Sequence, residues 1–127
     1  MNWIVLGALL AAASVAAGAF GAHALAARLE PHELGLWETA ARYLMYGALS
    51  LVLAGLFARQ GAGRGVGEGA GALNGAGWCL LLGSLIFSGT VFALALGSPR
   101  ILGAITPIGG VLLILGFLLF AFAAFRS

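Results

Sequence analysis

The chain has 127 residues, 62% of them apolar and 8% charged, with 21 glycines and a mean hydropathy of +1.10. Soluble domains carry about a quarter charged residues, so a soluble core, a nucleic-acid-binding surface and a disordered tail are all excluded. The net charge of +2 sets arginine against glutamate, without lysine, and is too small and dispersed to draw a polyanion. Cys79 is the single cysteine, so no intrachain disulfide forms.

A hydrocarbon layer about 30 Å thick is crossed by roughly 20 mostly apolar residues as a helix, because lipid cannot satisfy an open backbone. Four stretches qualify, at about 3–27, 36–58, 74–97 and 101–125, and they leave room for a single four-span membrane domain over residues 1–127. The chain is therefore predicted to be an all-α membrane protein, a four-transmembrane-helix bundle. Only Met1 and Asn2 precede the first apolar run, without a positive side chain, so the run is expected to be a retained span rather than a signal peptide. Span four holds fifteen Leu, Ile, Val or Phe residues and should insert unaided. Span two holds eight and carries Glu38 and Arg42, which predicts a place inside the bundle.

The first link holds Arg28, Glu30, Pro31, His32 and Glu33. Pro31 suits a first helical position, where its missing N–H is unpaired anyway, so a helix can start there and run on through span two. The second link, 59–72, has glycine at every second position from Gly61 to Gly71 and reads as a flexible surface segment. It lacks the strand, lysine and hydroxyl of a nucleotide loop. Gly97 to Arg100 reads as a tight turn. Arg59, Arg64 and Arg126 fall on the side of the termini, and Arg28 and Arg100 on the other, a bias that predicts cytoplasmic termini in a bacterial inner membrane.

Membrane helices pack through small residues, so small stripes mark interfaces. Span one offers Gly7, Ala11, Ser14, Gly18 and Gly21; span two Thr39, Tyr43, Gly47, Ser50 and Ala54; span three Gly77, Ser84 and Ser88; span four Gly103, Thr106 and Gly110. Packing is the default reading and a substrate path the alternative. Pro107 removes a backbone donor and predicts a kink or break, with the carbonyl of Gly103 freed for Thr106 or a hydroxyl of span three.

Glu38 and Arg42 stand at i and i+4 near the start of span two and are expected to neutralise each other at the membrane edge. A headgroup or anion site on Arg42, beside Trp37 and Tyr43, is the alternative. No Asp, Glu or Lys lies near the middle of any span, which disfavours proton-coupled export. His23, His32, Glu30 and Glu33 lack the spacing of a metal site, and Arg28 competes for the carboxylates. Ser84 and Ser88 have no base, and Cys79 has no activating charge.

GAFGAH (18–23), WETAARY (37–43), FSGT (87–90) and TPIGG (106–110) resemble, in order along the whole chain, the signature segments of the YgdD-type family of small bacterial inner-membrane proteins, related to the eukaryotic transmembrane protein 256. The resemblance implies a four-span fold and brings no catalytic residue, substrate or cofactor. Relatives often carry histidine at position 47, where this chain has Gly47, so a mechanism pairing His23 with a histidine on span two does not carry over.

The expected function is therefore that of a non-enzymatic accessory, scaffold or lipid-interacting membrane protein, with a transporter or channel for a small or neutral solute as the rival. The expected partners are membrane lipids and a second copy or another membrane protein, with no nucleic acid, metal or cofactor. The candidate polar residues are His23, Glu38, Thr39, Arg42, Tyr43, Ser88 and Thr106. Gly18, Gly21, Gly89, Pro107, Gly109 and Gly110 are the candidates for packing and kinking.

Overall fold

A computed structural model describes residues 2–61 and 69–126, which form four α-helices in chain order: α1, Trp3–His23; α2, Pro31–Gly61; α3, Gly69–Ala95; and α4, Leu102–Phe125. All four are long and apolar enough to cross a membrane, and no strand occurs among the described residues. The fold is the predicted all-α membrane bundle. Residues 62–68 of the glycine-rich link, with Arg64, lie outside the described residues.

Local chemistry sets the helix ends. The Asn2 side chain caps α1 by accepting from the Val5 N–H at 3.2 Å. At 1.5 Å per residue the 21 residues of α1 cover about 31 Å, the thickness of the hydrocarbon layer. It stops at His23, before the expected 27, and the chain turns through a short 3-10 segment, Leu25–Ala27. Pro31 takes the first position of α2, which runs 31 residues to Gly61, well beyond one bilayer crossing. Gly69 to Ala72, read as link from their glycines, begin α3 instead. A glycine costs a helix about 1 kcal/mol in water, but an open backbone in lipid costs more. Gly97 closes the α3–α4 turn with φ +96°, a conformation only glycine adopts cheaply.

Each helix packs chiefly on its chain neighbour, α1 on α2, α2 on α3 and α3 on α4, while α2 meets α4 at Gly47 against Leu113 and at Phe57 against Phe120. As its composition predicts, α2 is the most enclosed, with 50% of its span buried against 17% for α1 and 22% for α4.

Glycine lets backbones touch. A Cβ on Gly7 would stand 2.6 Å from the Ala48 carbonyl oxygen, and one on Gly83 2.8 Å from the Leu113 nitrogen. One on Gly109 would strike the Phe87 backbone, and one on Gly47 the Ser84 hydroxyl. Trp3 fills the slot between Gly55 and Gly77, edge-on to Trp78, and joins Leu51, Leu80 and Leu113 in the core.

The small stripes are therefore real but narrower than the sequence suggests. On α1 the buried positions are Trp3, Gly7, Ser14 and Gly21, spaced by four, seven and seven residues, which keeps one seam facing α2. Gly18 and Gly89 are not packing glycines, because a Cβ at either would meet nothing within 4 Å. On α4 the seam runs through Gly109, Leu113, Gly116 and Ala123, one position off Gly110, whose Cβ would make only ordinary contact with the Phe87 ring at 3.8 Å. On α2, Tyr43 is exposed and Thr39 half-buried, while Gly47, Ser50 and Ala54 are buried. The helix α4 is unbroken at Pro107, and Thr106 turns to the Leu102 carbonyl at 3.1 Å rather than to Gly103.

Candidate functional site

The antiparallel order brings GAFGAH, WETAARY, FSGT and TPIGG to the same end of the bundle, away from the termini. Two polar joints hold them there. Trp37 of α2 donates its indole N–H to the Ala17 carbonyl of α1 at 2.8 Å. Its ring lies over Gly21, where a Cβ would come within 2.6 Å of the indole, and it meets Phe20 and Phe92 at centroid distances of 6.2 and 4.5 Å. One side chain thus clamps three helices.

The second joint is Thr90 of α3 against Thr106 of α4, with hydroxyl oxygens 2.6 Å apart. Thr90 also lies 2.8 Å from the Ile86 carbonyl, and Thr106 3.1 Å from that of Leu102. Two hydroxyls bring two protons, so one lies between the threonines and the other on a carbonyl. The shorter Ile86 contact favours Thr106 donating to Thr90, and Thr90 to its own helix. Tyr43 stacks on Phe87 at 4.8 Å and so links WETAARY to FSGT.

Inside the bundle most polar groups are consumed locally. Ser14 donates to the Ala41 carbonyl across α1 and α2, whereas Ser50 and Ser84 donate to the carbonyls of Tyr46 and Leu80 in their own helices, each at 2.6 Å. Ser88 differs: it is 1% exposed, and its hydroxyl has no hydrogen-bond partner among the described residues. No group of three His, Cys, Asp or Glu side chains that could hold a metal occurs among the described residues.

The charged candidates of WETAARY face away from these joints. Glu38 and Arg42 are both exposed, and among the described residues neither forms an ion pair. The expected self-neutralising pair is not made. Their depth also differs from the expected membrane edge. Ala41, beside Arg42, receives the hydroxyl of Ser14, which is the twelfth of the 21 residues of α1 and so marks its middle. The 31-residue α2 begins well before that level, so Arg42 stands opposite the middle of α1 rather than its end. Tyr43 and Tyr46 stand beside it with ring centroids 5.2 Å apart.

His23 is exposed at the end of α1. Gly47 packs at the level of Gly7, whose Cβ would meet neighbouring Ala48, so His23 and position 47 lie about 24 Å apart along α1. A histidine pair between them is sterically out of reach. Trp3 and Thr90, which composition does not single out, prove to be packing and joining residues; the facing Gly55 and Gly77, and the hydroxyls of FSGT and TPIGG, are the signals that mark them.

Residues 17–110 match the family described as Protein of unknown function (DUF423). The chain belongs to this family. It is similar to the UPF0382 membrane protein of Staphylococcus haemolyticus, 44% identical over 124 residues that cover 98% of this chain and 95% of the relative. The UPF0382 membrane proteins of Staphylococcus saprophyticus and of Staphylococcus aureus strain bovine RF122 / ET3-1 are 43% and 40% identical over the same 98% of this chain, covering 97% and 95% of their own lengths. No solved structure matches. The family match begins one residue before GAFGAH and ends on the last glycine of TPIGG, so it encloses both joints. Membership brings a membrane-protein fold and no specific activity.

Proposed function

We propose that the protein is a non-enzymatic accessory or scaffold component of the bacterial inner membrane, working through its contacts with lipid and with membrane neighbours. One observation carries this reading: close glycine packing and hydrogen bonds from serines to backbone carbonyls occupy the interior, while Glu38 and Arg42 face outward from α2. A scaffold needs a rigid inside and a distinctive outside, whereas a catalyst needs converging polar groups within. The termini are assigned to the cytoplasm, because Arg59 and Arg126 lie at their end together with Arg64 of the link, against Arg28 and Arg100 at the other.

Two measurements test the reading. Purified protein in liposomes should leave proton, monovalent-cation and neutral-solute gradients undisturbed; protein-dependent dissipation would refute a purely accessory role. Reporter fusions at Ser127 and at Gly67 should both read cytoplasmic, and a periplasmic signal from either would reverse the orientation.

The buried, unpartnered Ser88 hydroxyl favours a second reading, a pathway for a small neutral solute between α2 and α3. In that case Ser88→Ala lowers solute flux in liposomes without lowering stability. Equal permeability of the parent and empty liposomes removes it.

A further inference from the structure

The outward face of α2 carries Glu38, Arg42, Tyr46, Leu49, Leu53 and Leu56 at spacings of three and four residues. That is the rhythm of a helix seam. Tyr46, Leu49, Leu53 and Leu56 are 48, 52, 57 and 46% exposed, so α1, α3 and α4 leave the seam uncovered. Leucines facing out of a membrane bundle call for no partner, since lipid solvates them as well as protein does. Glu38 and Arg42 are different. They stand level with the inner turns of α1, on that same seam, without ion pairs among the described residues.

We propose that this face is covered by a second copy of the chain, and that Glu38 of each copy pairs with Arg42 of the other. The proposal rests on the reading of the protein as an assembling component. Copies inserted in the same orientation and related by a two-fold axis along the bilayer normal present equal depths to each other. An isologous contact must be self-complementary. A face bearing one acid and one base, a single helical turn apart, meets that condition: each charge has its opposite across the axis one turn away. A lone positive patch would repel its own image and suit an anionic headgroup better. The acid on the same face makes a second copy the better occupant. The leucines below the charges extend the same seam.

Full-length protein in native membranes tests this, in a Cys79→Ala background so that one introduced cysteine reports. Oxidative cross-linking at Leu49→Cys should yield dimer about ten-fold above Leu118→Cys, a control on α4 that is 62% exposed. Equal yields overturn the proposal, and this arm needs no change in charge. Glu38→Arg alone and Arg42→Glu alone should each lose the cross-link. Co-expressed under two tags they should regain it as mixed pairs, since one chain then carries two bases and the other two acids. A pair closed within one chain gives no such rescue, so absence of mixed pairs overturns the proposal. Native mass spectrometry showing a monomer that retains an anionic lipid, lost in Arg42→Glu, overturns it in favour of a headgroup. That result leaves the accessory reading standing, whereas solute flux through a cross-linked dimer sinks the accessory reading and leaves the pairing intact.

Discussion

Gly109→Ala should destabilise the bundle although alanine is the better helix former. Backbone approach between α3 and α4 is what decides it. The added methyl would lie 2.8 Å from the Phe87 Cα and 2.9 Å from its Cβ, and would also strike the Phe87 nitrogen. Carbon atoms in contact prefer about 3.5–4.0 Å, so the helices must part by roughly 1 Å. Nothing at the contact can swing aside, because two of the three atoms met are backbone. Overpacking of this kind costs about 1–3 kcal/mol, and a rigid contact belongs at the upper end. Helix propensity returns at most about 1 kcal/mol, which leaves a net loss of about 2 kcal/mol. Gly89→Ala is the matched control. Its methyl meets nothing within 4 Å, so only the propensity gain remains. Unfolding in mixed dodecyl maltoside and dodecyl sulfate micelles, followed by circular dichroism, should therefore rank Gly89→Ala at or above the parent and Gly109→Ala clearly below. If Gly109→Ala unfolds with the parent, the α3–α4 contact is looser than described and the argument fails.

Gly21→Leu should lower the unfolding midpoint, because Trp37 is held against Gly21 by a hydrogen bond and two rings, while Gly18→Leu should be mild; the reverse order in the same micelles would misplace the α1 seam. Trp37→Phe keeps a ring but removes the N–H to Ala17, and should cost about 0.6 kcal/mol and at most about 1.7 kcal/mol, the mean and the maximum for interhelical hydrogen bonds in membranes. An unchanged midpoint would show the bond to be idle. Thr90→Val and Thr106→Val should couple by about 0.6 kcal/mol in a double-mutant cycle, and strict additivity would show that the two hydroxyls do not share a proton.

The spans, their number and the enclosed position of α2 are legible in the sequence because hydrophobic length and charge content are one-dimensional quantities. Interfaces are less so. Gly18 and Gly21 both fall on a plausible small stripe, and only the presence of Trp37 opposite one of them distinguishes the two. A glycine signals that close approach is allowed, not that a neighbour is there. The offset on α4 has the same origin: Gly109 and Gly110 are 100° apart around the helix, and composition alone does not choose between them. The Pro107 break fails to appear because Pro107 lies only six positions into α4, where few intrahelical bonds precede it.

The level of Arg42 bears on how α2 is held in the membrane. Read through a hydropathy window, span two begins near Leu36, and Glu38 and Arg42 fall at its edge, where charges are cheap. The helix in fact begins at Pro31 and its contact with α1 sets Arg42 opposite the middle of that span. On the insertion scale the eight strongly apolar residues of span two contribute about −2 to −5 kcal/mol, and an arginine at the centre of a span costs about 2.5–3.5 kcal/mol. Glu38 adds its own cost one turn away. The helix taken alone is therefore close to balance, and packing between α1 and α3 holds it in place. That packing turns α2's small residues inward and leaves both charges outside, although inward-facing positions were available to them on the same helix. A lipid-facing leucine at either position would insert more easily, so the outward pair is costly for a monomer and less so where each charge meets its opposite one helical turn away on a neighbouring copy.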